Sequence, residues 1–493
     1  MWHYFIKKKI IYKQNYRIVI KVKKKSIILI SIVSIFILLI AIGTFLVFQN
    51  TDNKVSKMLK DNTPLIVKDM LKKSIFYIPL KVREYQTTKE SNEKLKKQNR
   101  KLTFENYYLR NKIDSGKFSE RIITTKKNKY KMEEFILPFF VDNQLYDNDK
   151  KGYIDVYKDR ILVFFGSGKM ISIKKHNLKN GTLDYELITN NIISNDIFDT
   201  EIKWAGIKDA KVDGDTVYLS MTKKIKENCY KTSLYFSKIK TTDLYFDEIE
   251  LDNQCANIFS NFDSYPTFKN FNGYQNGGRI VSGENDIFLT VGDYNQWEMP
   301  QDESSLFGKI VKISKLNQEF SMISKGHRNQ QGMYLVDNKN LIATEHGPKG
   351  GDEINLINIY NNKIQNYGWP ISSYGSHYDS VPLSKEIKSI APLYKSHKDY
   401  GFVEPVFYFE KSIGISEIIK NYYSNDNSFF VTSLKNKTIY VVNFDEKFKN
   451  PKIVEEITIG ERIRDIIYDS EEKKYFLFLE SSPKLSILSR ITN

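Results

Sequence analysis

The chain has 493 residues, 41 % of them hydrophobic and 14 % aromatic, which supplies a large core and excludes wholesale disorder. The formal net charge of +16 invites a nucleic-acid partner, but its distribution argues against one. Lys7, Lys8, Lys9, Lys13, Arg17, Lys21, Lys23, Lys24 and Lys25 all precede the first acidic residue, Asp52, and the rest of the excess is spread thinly.

Residues 1–25 therefore read as a basic cytoplasmic tail. Behind it, Ser26 to Phe48 is an uncharged apolar run of 23 residues. As a helix it would reach about 35 Å, enough to cross a bilayer core of about 30 Å. Basic residues on its N-terminal side orient it N-inside. The run is longer than the core of a cleaved signal peptide, about 7–15 residues, and lacks an A-x-A-like cleavage site. It reads as a single-pass signal-anchor in the inner (cytoplasmic) membrane, with the rest of the chain periplasmic or otherwise extracytoplasmic.

Residues 49–128 read as a helical stalk. Leu95, Leu102 and Leu109 recur every seven residues, Ile113 closes the series, and Asn99 and Asn106 sit between. This pattern suits a short coiled coil, and so an oligomer through the stalk, or a monomeric spacer helix.

From residue 129 to 493 the pattern changes to short apolar runs separated by polar turns. Six strand cores stand out, ending at Phe165, Ser220, Thr290, Thr344, Thr432 and Glu480. Their repetition gives roughly 60 residues per unit, longer than the about 40–45 of a WD40 blade, and predicts an all-β propeller with inserted loops. Cys229 and Cys255 suit either a disulfide in an oxidising compartment or two buried thiols. No C-x-x-C pair is present to suggest zinc or a redox motif.

The densest chemistry runs from Gly326 to Pro370: GHRNQQG at 326–332, TEHGPKGGDE at 344–353 and NYGWP at 366–370. Glycine-rich loops at strand ends offer carbonyls and carboxylates to a hard cation. SLK at 433–435 and RIRD at 462–465 bring further cations to equivalent loops. Arg328, Lys435, Arg462 and Arg464 on one rim would make a positive funnel whose guest is a small polyanion.

These segments, with GGRIVSGENDIFLTVGD at 277–293, QDESSLFGKIVKI at 301–313 and IKDAKVDGDTVYLSMT at 207–222, resemble a known family. It is that of the pyrroloquinoline-quinone-dependent soluble aldose sugar dehydrogenases, or glucose/sorbosone dehydrogenases. The resemblance implies a six-bladed β-propeller of four-stranded blades, in line with the six strand cores. It implies that Arg328 and Asn329 face the quinone carbonyls and that Lys435, Arg462 and Arg464 pair with the cofactor carboxylates. His346 is counted with that cofactor-side group. Asp352 would line the cofactor and substrate pocket and, with Arg328 and the residue at the base position, Gln275, make up the catalytic group. Gly347 and Pro348 would give backbone carbonyls to a calcium ion, and Glu353 and Tyr367 would hold a second calcium across a longer loop.

One departure touches the chemistry. The family places its general-base histidine four residues before the arginine of its GGR motif, and here that position is Gln275. A carboxamide does not take a proton near neutral pH, and loss of a general base costs about 10²–10⁴-fold in rate. His377, in YGSHY, is a substitute base to test. Two functions follow. The first is a membrane-anchored dehydrogenase that oxidises the C1 hydroxyl of a sugar by hydride transfer to the quinone and passes electrons to an acceptor. The alternative is a catalytically impaired propeller serving as an envelope ligand-binding or scaffold module.

Overall fold

A computed structural model describes residues 118–138, 150–192, 206–226, 229–239, 243–252, 255–257, 274–379 and 383–492, together with residues 91 and 116. The predicted anchor at 26–48 and the stalk up to residue 115, apart from residue 91, lie outside the described residues. Among those described, no helix is long and apolar enough to cross a membrane.

Six antiparallel sheets follow one another along the chain as blades. The first comprises Gly152–Tyr157, Arg160–Phe165, Met170–Lys174 and Tyr185–Leu187, and the second Gly206–Asp213, Thr216–Lys226, Cys229–Lys238 and Asp247–Ile249. The third comprises Gly277–Ser282, Asp286–Val291, Lys309–Ser314 and Phe320–Lys325, and the fourth Gln330–Leu335, Asn340–Glu345, Asp352–Asn358 and Phe407–Phe409. The fifth comprises Ile415–Lys420, Ser428–Ser433, Thr438–Asn443 and Lys452–Thr458. The sixth joins both ends of the described chain. Ile463–Asp469, Lys474–Leu479 and Lys484–Ile491 pair onward to Lys129–Ile136 and Phe118–Thr124, with Met132 opposite Leu488.

The six sequence-predicted cores are the second strands of the six blades. Such a strand has both sheet faces covered by neighbouring blades, so it reads as a continuous apolar run. Ile161, Val163, Phe164 and Phe165 are 0 % exposed. The core is correspondingly divided into wedges, each between consecutive blades and the last between the sixth and first. Each buried Leu, Ile or Phe contributes about 1.5–3 kcal/mol. Turns follow local chemistry: Asp213 pairs with Thr216 across a two-residue loop, and Gly214 takes the left-handed φ of 55° that such a loop favours.

Two expectations change. Phe118–Thr124 is a strand, not stalk helix, so the β domain begins before residue 129. It also gives the sixth blade a fifth strand, as Gln365–Asn366 does for the third. Cys229 and Cys255 are joined in a disulfide, which decides between the two alternatives.

Carboxylates on the inner strands stitch blade to blade. Asp155 Oδ2 accepts the backbone N–H of Val212 at 2.7 Å, Asp209 Oδ2 that of Ile280 at 2.7 Å, and Asp465 Oδ2 that of Ile154 at 2.8 Å. Between them lies Arg279. Its Nη1 meets Asp209 at 2.9 Å and Asp465 at 3.0 Å, and its Nη2 meets Glu417 at 2.6 Å. Four blades are thereby tied to one buried guanidinium.

Candidate functional site

Residues at or just before the first strand of every blade enclose one cavity of about 760 Å³. Local backbone geometry aims several of them. Pairing of the first and second strands slips between Ile207 and Asp209, between Gln330 and Gly332, and between Ile463 and Asp465. The residues skipped are Lys208, Gln331 and Arg464, and all three line the cavity. A β-bulge re-aims a side chain in this way without breaking the sheet.

The structure brings Gln275, Arg328, Asn329, His346, Gly347, Pro348, Asp352, Lys435, Arg462 and Arg464 onto this cavity. Arg462 Nε donates to Glu480 Oε1 at 2.5 Å and Arg464 Nε to Glu480 Oε2 at 2.6 Å, so one buried carboxylate holds both guanidinia. Burial alone would raise the Glu480 pKa, but Arg464 and Arg462 outweigh it and hold it below the usual value. Arg464 Nη1 also donates to Gln331 Oε1 at 3.0 Å. Lys435 stands exposed at the rim. Asn329 is oriented as an acceptor, taking the Gly277 N–H at 3.1 Å.

Gln275, at a left-handed φ of 58°, lies between an acid and a base. With its amide turned to satisfy both ends, its nitrogen donates to Asp293 Oδ1 at 2.7 Å and its oxygen accepts from Arg328 Nη2 at 2.9 Å. Asp293 is 1 % exposed and also accepts the Trp369 indole N–H at 2.7 Å. Burial pushes its pKa up to about 7 against the pull of Arg328. Arg328 in turn donates to the carbonyls of His346 at 3.1 Å and Gly347 at 3.2 Å, with its guanidinium 5.3 Å from the Trp369 ring.

Three predicted roles need revision. Asp352 is wholly buried: Oδ2 accepts N–H groups of Ile413, Gly414 and Ile415, and Oδ1 that of Gly347. It anchors the cavity wall and is not available as a proton acceptor. The donors expected to hold calcium are engaged within the protein. The Gly347 carbonyl accepts from Arg328, and that of Pro348 accepts hydroxyls of Tyr378 at 2.9 Å and Ser412 at 3.2 Å. Glu353 and Tyr367 lie off the cavity, and His397 stands between them, Nε2 3.2 Å from Glu353 Oε1 and Nδ1 2.8 Å from the Tyr367 carbonyl. Among the described residues no cluster of three or more acidic, histidine or cysteine side chains suits a metal. His377 is also off the cavity, with Nε2 2.8 Å from the Ala391 carbonyl. The histidine that does line the cavity is His346. Burial, then Arg328, Arg464 and Arg462, push its pKa down to about 3, so it stays neutral.

The sequence reading missed Asp293, Lys151, Tyr153 and Lys208. One signal was present: Ile207-Lys208-Asp209 repeats Ile463-Arg464-Asp465, so Lys208 is the second-blade counterpart of Arg464. Taken together, the donor set fits a small polyanion. Arg328, Lys435, Arg462 and Arg464 converge on a cavity whose lining acids are the saturated Asp352 and the exposed Glu410.

Residues 201–486 match the family model described as Glucose / Sorbosone dehydrogenase. The chain is 31 % identical over 232 residues to the aldose sugar dehydrogenase YliI of Escherichia coli (strain K12), covering 42 % of this chain and 58 % of that one. It is 27 % identical over 155 residues to quinoprotein glucose dehydrogenase B of Acinetobacter calcoaceticus, covering 24 % and 32 %. The chain thus spans about half the length, or less, of the curated relatives it matches. In fold it is similar to the apo-form soluble aldose sugar dehydrogenase of Escherichia coli, with a TM-score of 0.55 and 20 % identity over 76 % of this chain and 99 % of that one. The PQQ-bound aldose sugar dehydrogenase of Streptomyces coelicolor gives a TM-score of 0.50 at 15 % identity, again over 76 % and 99 %.

Proposed function

This chain belongs to the glucose/sorbosone dehydrogenase family, and from that premise we propose that its cavity binds pyrroloquinoline quinone and oxidises an aldose at C1. The observation that carries the reading is the convergence of Arg328, Asn329, Lys435, Arg462 and Arg464 on one cavity. Bound there, the quinone would supply a hydride acceptor for the sugar C1. Arg462 and Arg464, fixed by Glu480, would hold carboxylates, because charge-assisted pairs to a preset guanidinium keep their geometry. Arg328 and Asn329 would orient the reacting face.

The proton from the C1 hydroxyl has no imidazole to receive it at residue 275. The Gln275 amide is engaged at both ends, and Asp293 lies behind it. Turnover is therefore slow, and electrons leave to a separate acceptor. That same engagement of Gln275 favours a second reading, a ligand-binding or scaffold module in the cell envelope. Anchorage by residues 26–48, with the propeller extracytoplasmic, belongs to either proposal, and the Cys229–Cys255 disulfide supports an oxidising compartment.

The test is to titrate the detergent-solubilised full chain with the quinone and then assay dye-linked oxidation across a panel of aldoses. Saturable binding with slow oxidation is expected. Binding with no oxidation of any aldose would favour the module, and absence of quinone binding would overturn the dehydrogenase reading.

A further inference from the structure

Gln331 enters the cavity at the bulge between Gln330 and Gly332, and its side chain bridges Arg464 and Asn329. Its Oε1 accepts from Arg464 Nη1 at 3.0 Å, and its Nε2 donates to Asn329 Oδ1 at 3.1 Å. The backbone is held separately, by Arg279 Nε donating to the Gln331 carbonyl at 2.9 Å. A guanidinium only donates, so Arg464 takes the amide oxygen and turns Nε2 toward Asn329. The Asn329 Oδ1 also accepts the Gly277 N–H at 3.1 Å. Two donors therefore pin that oxygen inside the wall. The Asn329 Nδ2 has no hydrogen-bond partner among the described residues, which leaves it for the cavity that Asn329 lines.

We propose that Gln331 is a positioning residue: it holds Asn329 so that an N–H, not a carbonyl oxygen, meets the bound quinone. The inference rests on the quinone-dependent reading above and deepens it. A quinone carbonyl only accepts, so the amide presented the other way round would repel it. Reduction places more negative charge on that oxygen. A donor fixed in advance is then worth more to the reduced form than to the oxidised one, because it costs no reorganisation. The bridge also ties the two ends of the cavity together. Glu480 fixes Arg464 on the carboxylate side, and Arg464, through one amide, sets the polarity offered on the reacting side.

Anaerobic calorimetry on the full chain, with pyrroloquinoline quinone and with its two-electron-reduced form, decides this. Gln331→Met should bind the oxidised form within about threefold of the parent, because Glu480 still holds Arg464. It should bind the reduced form about tenfold more weakly, a fall of about 30 mV in the potential of the bound couple. Its melting temperature should match the parent's, since Arg279 grips the backbone there. Asn329→Leu should show the same selective loss, and the double variant no more than either alone, because one residue acts through the other. Equal weakening of both forms in Gln331→Met would assign the amide to Arg464 alone and overturn the proposal. So would losses that add in the double variant, or a Gln331→Met chain that matches its parent for both forms. A parent that binds neither form would sink the dehydrogenase reading and this inference with it.

Discussion

Gln275, on the cavity wall, donates its amide N–H at 2.7 Å to Oδ1 of Asp293, which does not itself line the cavity. An imidazole in the same place would donate Nδ1–H to Asp293 and leave Nε2 facing the sugar. Gln275→His should therefore raise dye-linked oxidation by about 10²–10⁴-fold. Adding Asp293→Asn should remove most of the gain by leaving the ring unoriented. A Gln275→His chain no faster than its parent would show that Asp293 cannot support a base there.

The two arginines on Glu480 give a second prediction. Arg462→Met and Arg464→Met should each weaken quinone binding by about 10–100-fold, and higher salt should weaken the parent progressively. Fluorescence titration of the quinone measures both effects.

Arg279 faces three buried carboxylates, and its replacement by Met should cost about 3–5 kcal/mol because the acids lose their shared partner. Equilibrium urea unfolding reads this directly.

The same cluster makes stability depend on pH. Burial and mutual repulsion push Asp209 up to about 7 and Glu417 up to about 8, despite Arg279. Folding therefore favours their protonated forms. That contribution is complete below the unfolded carboxylate values near about 4, shrinks as pH rises, and is lost above about 8. Melting temperatures recorded across this range should fall with pH for this cluster's part, and the slope should flatten in Asp209→Asn.

Reduction of Cys229–Cys255 should lower stability by about 3 kcal/mol, as expected for a 26-residue separation. The doubly substituted Cys229→Ser, Cys255→Ser chain should melt where the reduced parent does.

The second strands of the blades were legible because blades cover both of their faces, leaving unbroken apolar runs such as 161–165. The inner strands were not, since their sequence mixes stitching acids such as Asp209 with bulged cations such as Lys208, which break any alternation. Strand Phe118–Thr124 escaped notice because it is an edge: Phe118, Ser119, Glu120, Ile122 and Thr124 are exposed, and its charges read as a continued helix. The cofactor-side cations were visible as motifs, but their shared clamp, Glu480, required the fold. Asp293 sat inside a quoted motif, and only its contact with Gln275 distinguishes it.

The pairing of Lys129–Ile136 with Lys484–Ile491 sets an order on biosynthesis. Strands made early must wait, with an unpaired edge, until a segment some 350 residues later has been made. Five blades have their four strands in hand during that interval, while the sixth exists only as loose ends. The ring, and with it the Arg462 and Arg464 wall of the cavity, is completed last, so a chain interrupted before residue 484 would carry most of the blades and an open binding site.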